Sequence, residues 1–171
     1  MDFVQLEKAR YSLRKFSSRP VEQEKLNLVL EAARCAPTAH NNQPQRVFVL
    51  KSAEAIEKAD ACAACHFNPP LMLVVAYEAE KAWVRDAFDN KNHGEIDAAI
   101  AVAQMMLQAA ELGLGTTYVG MFAPQALLER FPEMAGCTPI ALLPIGYPGE
   151  GAHPARLHEN RKPMEEIVTV L

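Results

Sequence analysis

Apolar positions along the chain change between helical and strand-like spacing several times, and the changes mark out the elements. Between Glu22 and Arg34 the residues Leu26, Val29, Leu30 and Ala33 recur at helical spacing behind a first turn bearing Glu22 and Glu24, and Pro37 must end that helix. A shorter helix opens at Asp2, a residue suited to cap it, carries Phe3 and Leu6 on one side, and delivers Arg10 near its end. Ser52 is placed to cap another through Ile56 and Ala59. Residues 46–50 and 71–77 are strand-like, and the second run is so continuously apolar that it predicts a central strand. From Glu95 to Leu112 the polar positions 97, 104, 108 and 111 share one narrow face, which predicts a largely buried helix, the spine of the domain, ended by Gly113. Residues 115–120 read as a strand, Pro124 begins a helix, residues 140–143 form a buried strand that Pro144 should break, and residues 167–170 read as a terminal strand. Residues 79–93 carry no pattern that assigns them.

Helices and strands therefore mix without strict alternation, which predicts an α+β fold. With 171 residues, half of them apolar, there is material for one core, so residues 1–171 form a single domain with 149–171 as a polar C-terminal arm. A terminal strand beyond such an arm either frays or pairs with a partner's sheet, which would make a homodimer. The net charge of −4 disfavours nucleic acid and anionic membranes as partners. The first residues lack a basic stretch followed by an apolar run, no stretch spans a bilayer comfortably, and Cys35, Cys62, Cys65 and Cys137 read as thiols, so the expected location is cytoplasmic.

Chemistry concentrates in two places. In Arg10-Tyr11-Ser12-Leu13-Arg14, side chains two apart in an extended chain share a face, so Arg10, Ser12 and Arg14 would present forked donors and a hydroxyl to a phosphate or polyoxygenated ligand. Arg161-Lys162 adds a second cationic pair near the other terminus, although basic residues are most often plain solvated surface. The loop between Pro37 and Pro44 offers Thr38, Asn41, Asn42 and Gln43, amide and hydroxyl groups suited to the edge of a heterocycle or equally to capping the flanking elements.

Taken together, Arg10-x-Ser12-x-Arg14-x-Phe16, then 36–44 (Ala-Pro-Thr-Ala-His-Asn-Asn-Gln-Pro), Asp97 at the head of a helix ending in Gly113-Leu114-Gly115-Thr116, Gly120, Gly146-Tyr147-Pro148 and Arg161-Lys162-Pro163 resemble the FMN-dependent nitroreductase family. The blocks span nearly the whole chain in family order. That resemblance implies a homodimeric α+β fold with a mostly antiparallel sheet flanked by helices, FMN at the subunit interface and an arm that embraces the partner. It implies that Arg10, Ser12 and Arg14 contact the ribityl phosphate and the pyrimidine side of the flavin, with Arg161 closing on the phosphate. Pro37, Thr38, Ala39 and Asn41 would lie against the isoalloxazine with Gln43 beside them, and Gly120 would make a backbone contact near the ring. The activity implied is transfer of electrons from NAD(P)H to small electrophilic acceptors such as nitroaromatics or quinones by a ping-pong scheme, with the flavin and no catalytic side chain carrying the chemistry. Dehydrogenases or dehalogenases of the same fold, and non-catalytic flavin- or haem-binding modules, are the alternatives. The segment between 77 and 94 is short for the family.

Two motifs point elsewhere. Cys62-Ala63-Ala64-Cys65-His66 spells the haem-attachment pattern, but it also reads as a helix end ahead of a buried strand, and no second pair of cysteines completes a zinc site. Gly113-x-Gly115 follows a helix instead of a strand, so it reads as a helix terminus and not as a dinucleotide loop. No metal site is expected. His40 is placed either to touch the acceptor or simply to lie exposed on its loop.

Overall fold

The computed structural model describes residues 2–171. In chain order the elements are α1 (Phe3–Ala9), α2 (Gln23–Arg34), a 3-10 turn (Ala39–Asn41), β1 (Gln45–Leu50), α3 (Ala53–Asp60), β2 (Leu71–Glu78), β3 (Val84–Arg85), β4 (Lys91–Asn92), α4 (Gly94–Glu111), β5 (Gly115–Thr116), α5 (Pro124–Arg130), β6 (Cys137–Gly146) and α6 (Met164–Ile167). Four strands form one sheet in the order β1-β2-β6-β5, antiparallel at each pairing, while β3 and β4 make a separate small hairpin. This is the expected α+β architecture with β2 in the centre.

β2 is apolar throughout because both its faces are covered. Leu71, Leu73 and Val75 enter one core with Val29 of α2 and Ala98, Val102 and Met105 of α4. Met72 and Val74 enter a second core with Ala59 of α3 and Leu127 of α5. Each large side chain buried this way stabilises the fold by roughly 1.5–3 kcal/mol. α4 buries Gly94, Asp97, Ala98, Ala101, Val102, Met105 and Ala109, positions that recur with the helical period. Asp2 and Ser52 cap α1 and α3 as expected, accepting from the backbone N–H groups of Gln5 and Ala55 at 2.8 and 3.1 Å.

Three elements depart from expectation, and one unassigned segment gains a structure. β6 runs straight through Pro144. The Leu142 N–H points toward Val119, so the missing N–H of Pro144, two residues on, faces the same edge, where the chain between Thr116 and Val119 has left the sheet and offers no partner. For the same reason the expected strand over residues 115–120 shrinks to Gly115–Thr116 plus one bridge at Val119. Residues 79–93 resolve into the β3–β4 hairpin. Within 167–170, Ile167 closes the single helical turn of α6, Val168 is extended, and the chain pairs with no strand among the described residues. No helix among the described residues is long and apolar enough to cross a membrane.

Candidate functional site

The segment after α1 lies alongside the end of α4. Leu13 is 1% exposed and donates its N–H to the Thr116 carbonyl at 2.9 Å, and Ser12 bridges Thr116. Because Leu13 is buried, its neighbours Ser12 and Arg14 point the opposite way, as the alternation of an extended chain requires. Arg10, Tyr11, Ala110, Gly113, Leu114 and Thr116 line a small cavity of about 160 Å³. Thr116 Oγ1 is buried there without a hydrogen-bond partner.

Three arginines of the two basic clusters lack a carboxylate partner, while Lys162 pairs with Glu166. Arg19, Arg34, Arg46 and Arg85 each pair with a carboxylate, whereas Arg10, Arg14 and Arg161 pair with none among the described residues. The C-terminal arm folds back on α1, where His158 Nε2 contacts the Lys8 carbonyl at 3.1 Å and the His158 ring meets Tyr11 edge-on. Arg161 shares a surface cavity with Lys8 and His158, which sets the arm against the end of α1 that leads into Arg10. Its guanidinium is tied to the His158 and Asn160 carbonyls.

The proline-bounded loop is built differently. His40, Asn41 and Gln43 all take left-handed backbone angles, with φ of 53°, 55° and 51°, a conformation that non-glycine residues hold only when their surroundings enforce it. The enforcing contacts are visible. Thr38 Oγ1 accepts from the Gln43 N–H at 3.1 Å, Asp97 Oδ1 accepts from the Ala39 N–H at 3.0 Å, and Asn42 Nδ2 donates to the Lys81 carbonyl at 3.1 Å. The His40 ring stacks on Trp83 at 5.3 Å and 11°, and Trp83 meets His93 edge-on at 4.7 Å. Pro37, Asn41 and Gln43 are exposed, and Thr38 and Ala39 half-buried.

Gly120 lies in a third place. It lines an open apolar depression with Cys62, Ala63, Ala64, Met121 and Phe122, and the Tyr118 ring covers it at 3.4 Å from where a Cβ would stand. Burial raises the Tyr118 hydroxyl above its ordinary pKa, helped by Glu95, and that hydroxyl donates to the Ile140 carbonyl. Cys62 is 8% exposed, its thiol raised by burial, and its Sγ donates to the Lys58 carbonyl; the segment behaves as the end of α3 packed into the second core. Among the described residues no group of His, Cys, Asp and Glu is placed to hold a metal ion.

The comparisons agree with this architecture. The model of the Nitroreductase family matches residues 8–69 and 60–147, most of the chain. The chain belongs to the nitroreductase family. A crystal structure of a nitroreductase family protein from Clostridium difficile 630 superposes with a TM-score of 0.91 at 42% identity, covering 99% of this chain and 98% of that one. A putative NADH dehydrogenase/NAD(P)H nitroreductase from Methanothermobacter thermautotrophicus is 28% identical over 88% of this chain and 79% of its own length. An FMN reductase [NAD(P)H] from Bacillus subtilis is 28% identical over 81% of this chain and 63% of its own length.

Within the nitroreductase fold the residues singled out from the sequence do not form one cluster in one chain. Arg10 and Ser12 lie at the C-terminal end of α4, beside Ala110 and Thr116, with Arg14 two residues further along the same segment, whereas the 37–43 loop is fixed to Asp97 at the N-terminal end. Asp97 and Ala110 are thirteen residues apart on the helix, about 20 Å at 1.5 Å per residue. Sequence reasoning also missed the Trp83–His40–His93 stack and the burial of Asp97. A polar residue at the head of an otherwise apolar helix was the available signal for the second; nothing local signals the first.

Proposed function

We propose that this chain is an FMN-dependent NAD(P)H oxidoreductase that reduces small electrophilic acceptors such as nitroaromatics or quinones, with each flavin held between two copies of the chain. The separation of the two polar clusters along α4 carries this reading. With the two clusters at opposite ends of α4, a flavin that takes the Arg14 region from one copy can take the 37–43 loop from a second. An apolar groove between α1, α2 and α4, lined by Phe3, Leu6, Leu28 and Leu107, offers that copy a surface, and Phe3 and Leu28 are 61% and 48% exposed on it.

The residues fit the cofactor. Arg10 and Arg14, without carboxylate partners among the described residues, and Ser12, beside the cavity holding Thr116 Oγ1, make a donor set for a phosphate and ribityl chain, and Arg161 would exchange its bonds to the His158 and Asn160 carbonyls for the phosphate. Arg14, exposed and without an ion-pair partner, is available to hold negative charge on the pyrimidine edge. Pro37, Thr38, Ala39, Asn41 and Gln43 present a conformationally fixed edge to the ring, and Gly120, exposed next to Tyr118, is the candidate for a backbone contact to it. FMN held there would supply the redox chemistry between a nicotinamide donor and the acceptor. The protein's part is to bind, orient and exclude water. Four free thiols suit a reducing, cytoplasmic compartment.

The test is the visible spectrum of the purified protein with FMN added, before and after NADH or NADPH. Retained flavin that bleaches with either nucleotide and recovers on adding a quinone supports the reading. Absence of FMN binding contradicts it.

A further inference from the structure

Asp97 is 2% exposed, the most deeply buried ionisable side chain among the polar residues of the core. Its two oxygens are unequally served. Oδ1 accepts the Ala39 N–H across 58 positions of sequence, and Oδ2 is buried with no partner among the described residues. A buried carboxyl group with one hydrogen bond is a poor way to build a core, because an apolar residue of similar size would fill the space without leaving a polar atom unmet. The one bond it makes goes to the 37–43 loop. Among the described residues it is the only side chain from outside that loop to bond the loop's backbone.

The anchor itself is rigid. Asp97 sits in the first turn of α4, whose opening residue Gly94 lies so close beneath Tyr77 of β2 that a Cβ there would stand 2.1 Å from the ring. The bond meets the loop immediately before His40 and Asn41, two of its left-handed residues. Holding the N–H of Ala39 therefore fixes where the strained turn begins, and with it the direction of the Thr38, Asn41 and Gln43 groups.

We propose that Asp97 is a positioning residue for the flavin: a latch from the spine helix that holds the 37–43 loop in its binding conformation before the cofactor arrives. The idea rests on the FMN reading above, so its test includes a measurement that needs no flavin. In apoprotein, Asp97→Ala should speed exchange of the Ala39 amide hydrogen by at least about tenfold, and Asp97→Asn, which keeps an acceptor oxygen, should restore most of the protection. Ala39→Pro, at the first position of the 3-10 turn, removes the donor but carries its ring Cδ along the former N–H direction toward Asp97 Oδ1, so it is read beside the double variant, in which the shorter side chain of Asp97→Ala makes room for the ring. FMN affinity should fall about tenfold or more in Asp97→Ala and in Ala39→Pro, the double variant should be no worse than the weaker single, and Asp97→Asn should stay within about threefold of the parent. Met105→Ala, in the same helix and equally buried, should lower the melting temperature yet leave FMN affinity and the visible circular dichroism of bound flavin unchanged.

Unchanged Ala39 exchange in Asp97→Ala overturns the latch. So does FMN affinity that follows melting temperature alike in Asp97→Ala and Met105→Ala, which would make Asp97 merely structural. Should Asp97→Ala not fold, Ala39→Pro with undiminished FMN binding overturns it. A parent protein that binds no FMN defeats the functional reading instead, and the amide exchange then decides the latch by itself.

Discussion

Replacing Gly94 with alanine tests whether the start of α4 is as tightly set against the sheet as the site requires. The added methyl would stand 2.1, 2.6 and 2.9 Å from Cδ2, Cε2 and Cγ of Tyr77. Cγ lies on the Cβ–Cγ axis, so rotating the ring about that bond does not clear the methyl; either the whole side chain leaves its place or β2 and α4 separate. Overpacking of this kind costs about 1–3 kcal/mol, and contacts this short belong at the top of that range. Alanine returns up to about 1 kcal/mol of helix propensity, leaving a net loss of about 2 kcal/mol. For a domain of this length, each kcal/mol moves the melting temperature by about 2–4 °C, so cofactor-free Gly94→Ala should melt about 4–8 °C lower. Thermal unfolding followed by far-ultraviolet circular dichroism reads this directly. In a Tyr77→Ala background the clash is gone, and the same substitution should be neutral or slightly stabilising. An unchanged or raised melting temperature in the parent background would refute the packing argument.

Other expectations are independent of that one. Arg14→Ala should weaken FMN binding by roughly 10–100-fold, measured by flavin fluorescence; unchanged flavin content together with unchanged reduction kinetics would remove Arg14 from the site. Leu127 is 0% exposed in the second core, so Leu127→Ala should cost about 2–5 kcal/mol in urea unfolding, and a loss below about 1 kcal/mol would mean that the core collapses around the gap. Glu22 is held down to about 2 chiefly by the Tyr147 hydroxyl, then by a backbone bond and Arg19. A lowered carboxyl pKa contributes stability that is present above the ordinary value of 4.5 and lost as pH falls through about 2. Tyr147→Phe should therefore flatten the fall of melting temperature between those limits; parallel curves for the two proteins would count against the Tyr147 contribution.

Periodicity made α2, α3 and α4 legible because each is a run whose apolar face matches a buried surface, and the unbroken apolar run of the central strand matches its burial on both faces. It failed at Pro144, where a local rule about missing donors was overridden by a gap in the neighbouring edge. It failed also in the arm, where Met164, Ile167 and Val168 are 67%, 66% and 51% exposed and local backbone preference had no packing to oppose it. The site was legible as residue types, with Arg10, Ser12, Arg14 and the 37–43 loop all visible from their donors. Its division between two ends of α4 was not legible, since it depends on where α1 and the loop dock. Asp97 was grouped with Gln104, Gln108 and Glu111 on one helical face, and they do share it; the loop covers only the first of them. The 79–93 hairpin gave no pattern because it is held by the Trp83 stack and side-chain bonds instead of by an apolar face.

The central claim is that one flavin site takes Arg10 and Arg14 from one copy and the 37–43 loop from another, and subunit complementation tests it most directly. Arg10→Ala/Arg14→Ala protein and Thr38→Ala/Asn41→Ala protein would each be prepared cofactor-free, mixed under conditions that exchange subunits, and titrated with FMN. In a mixed dimer one site inherits both defects and the other is intact. The account predicts that mixing restores parent-like affinity to about one quarter of all sites, although neither variant shows it alone. No recovery from proven mixed dimers, or monomers that bind FMN at parent affinity, would contradict it.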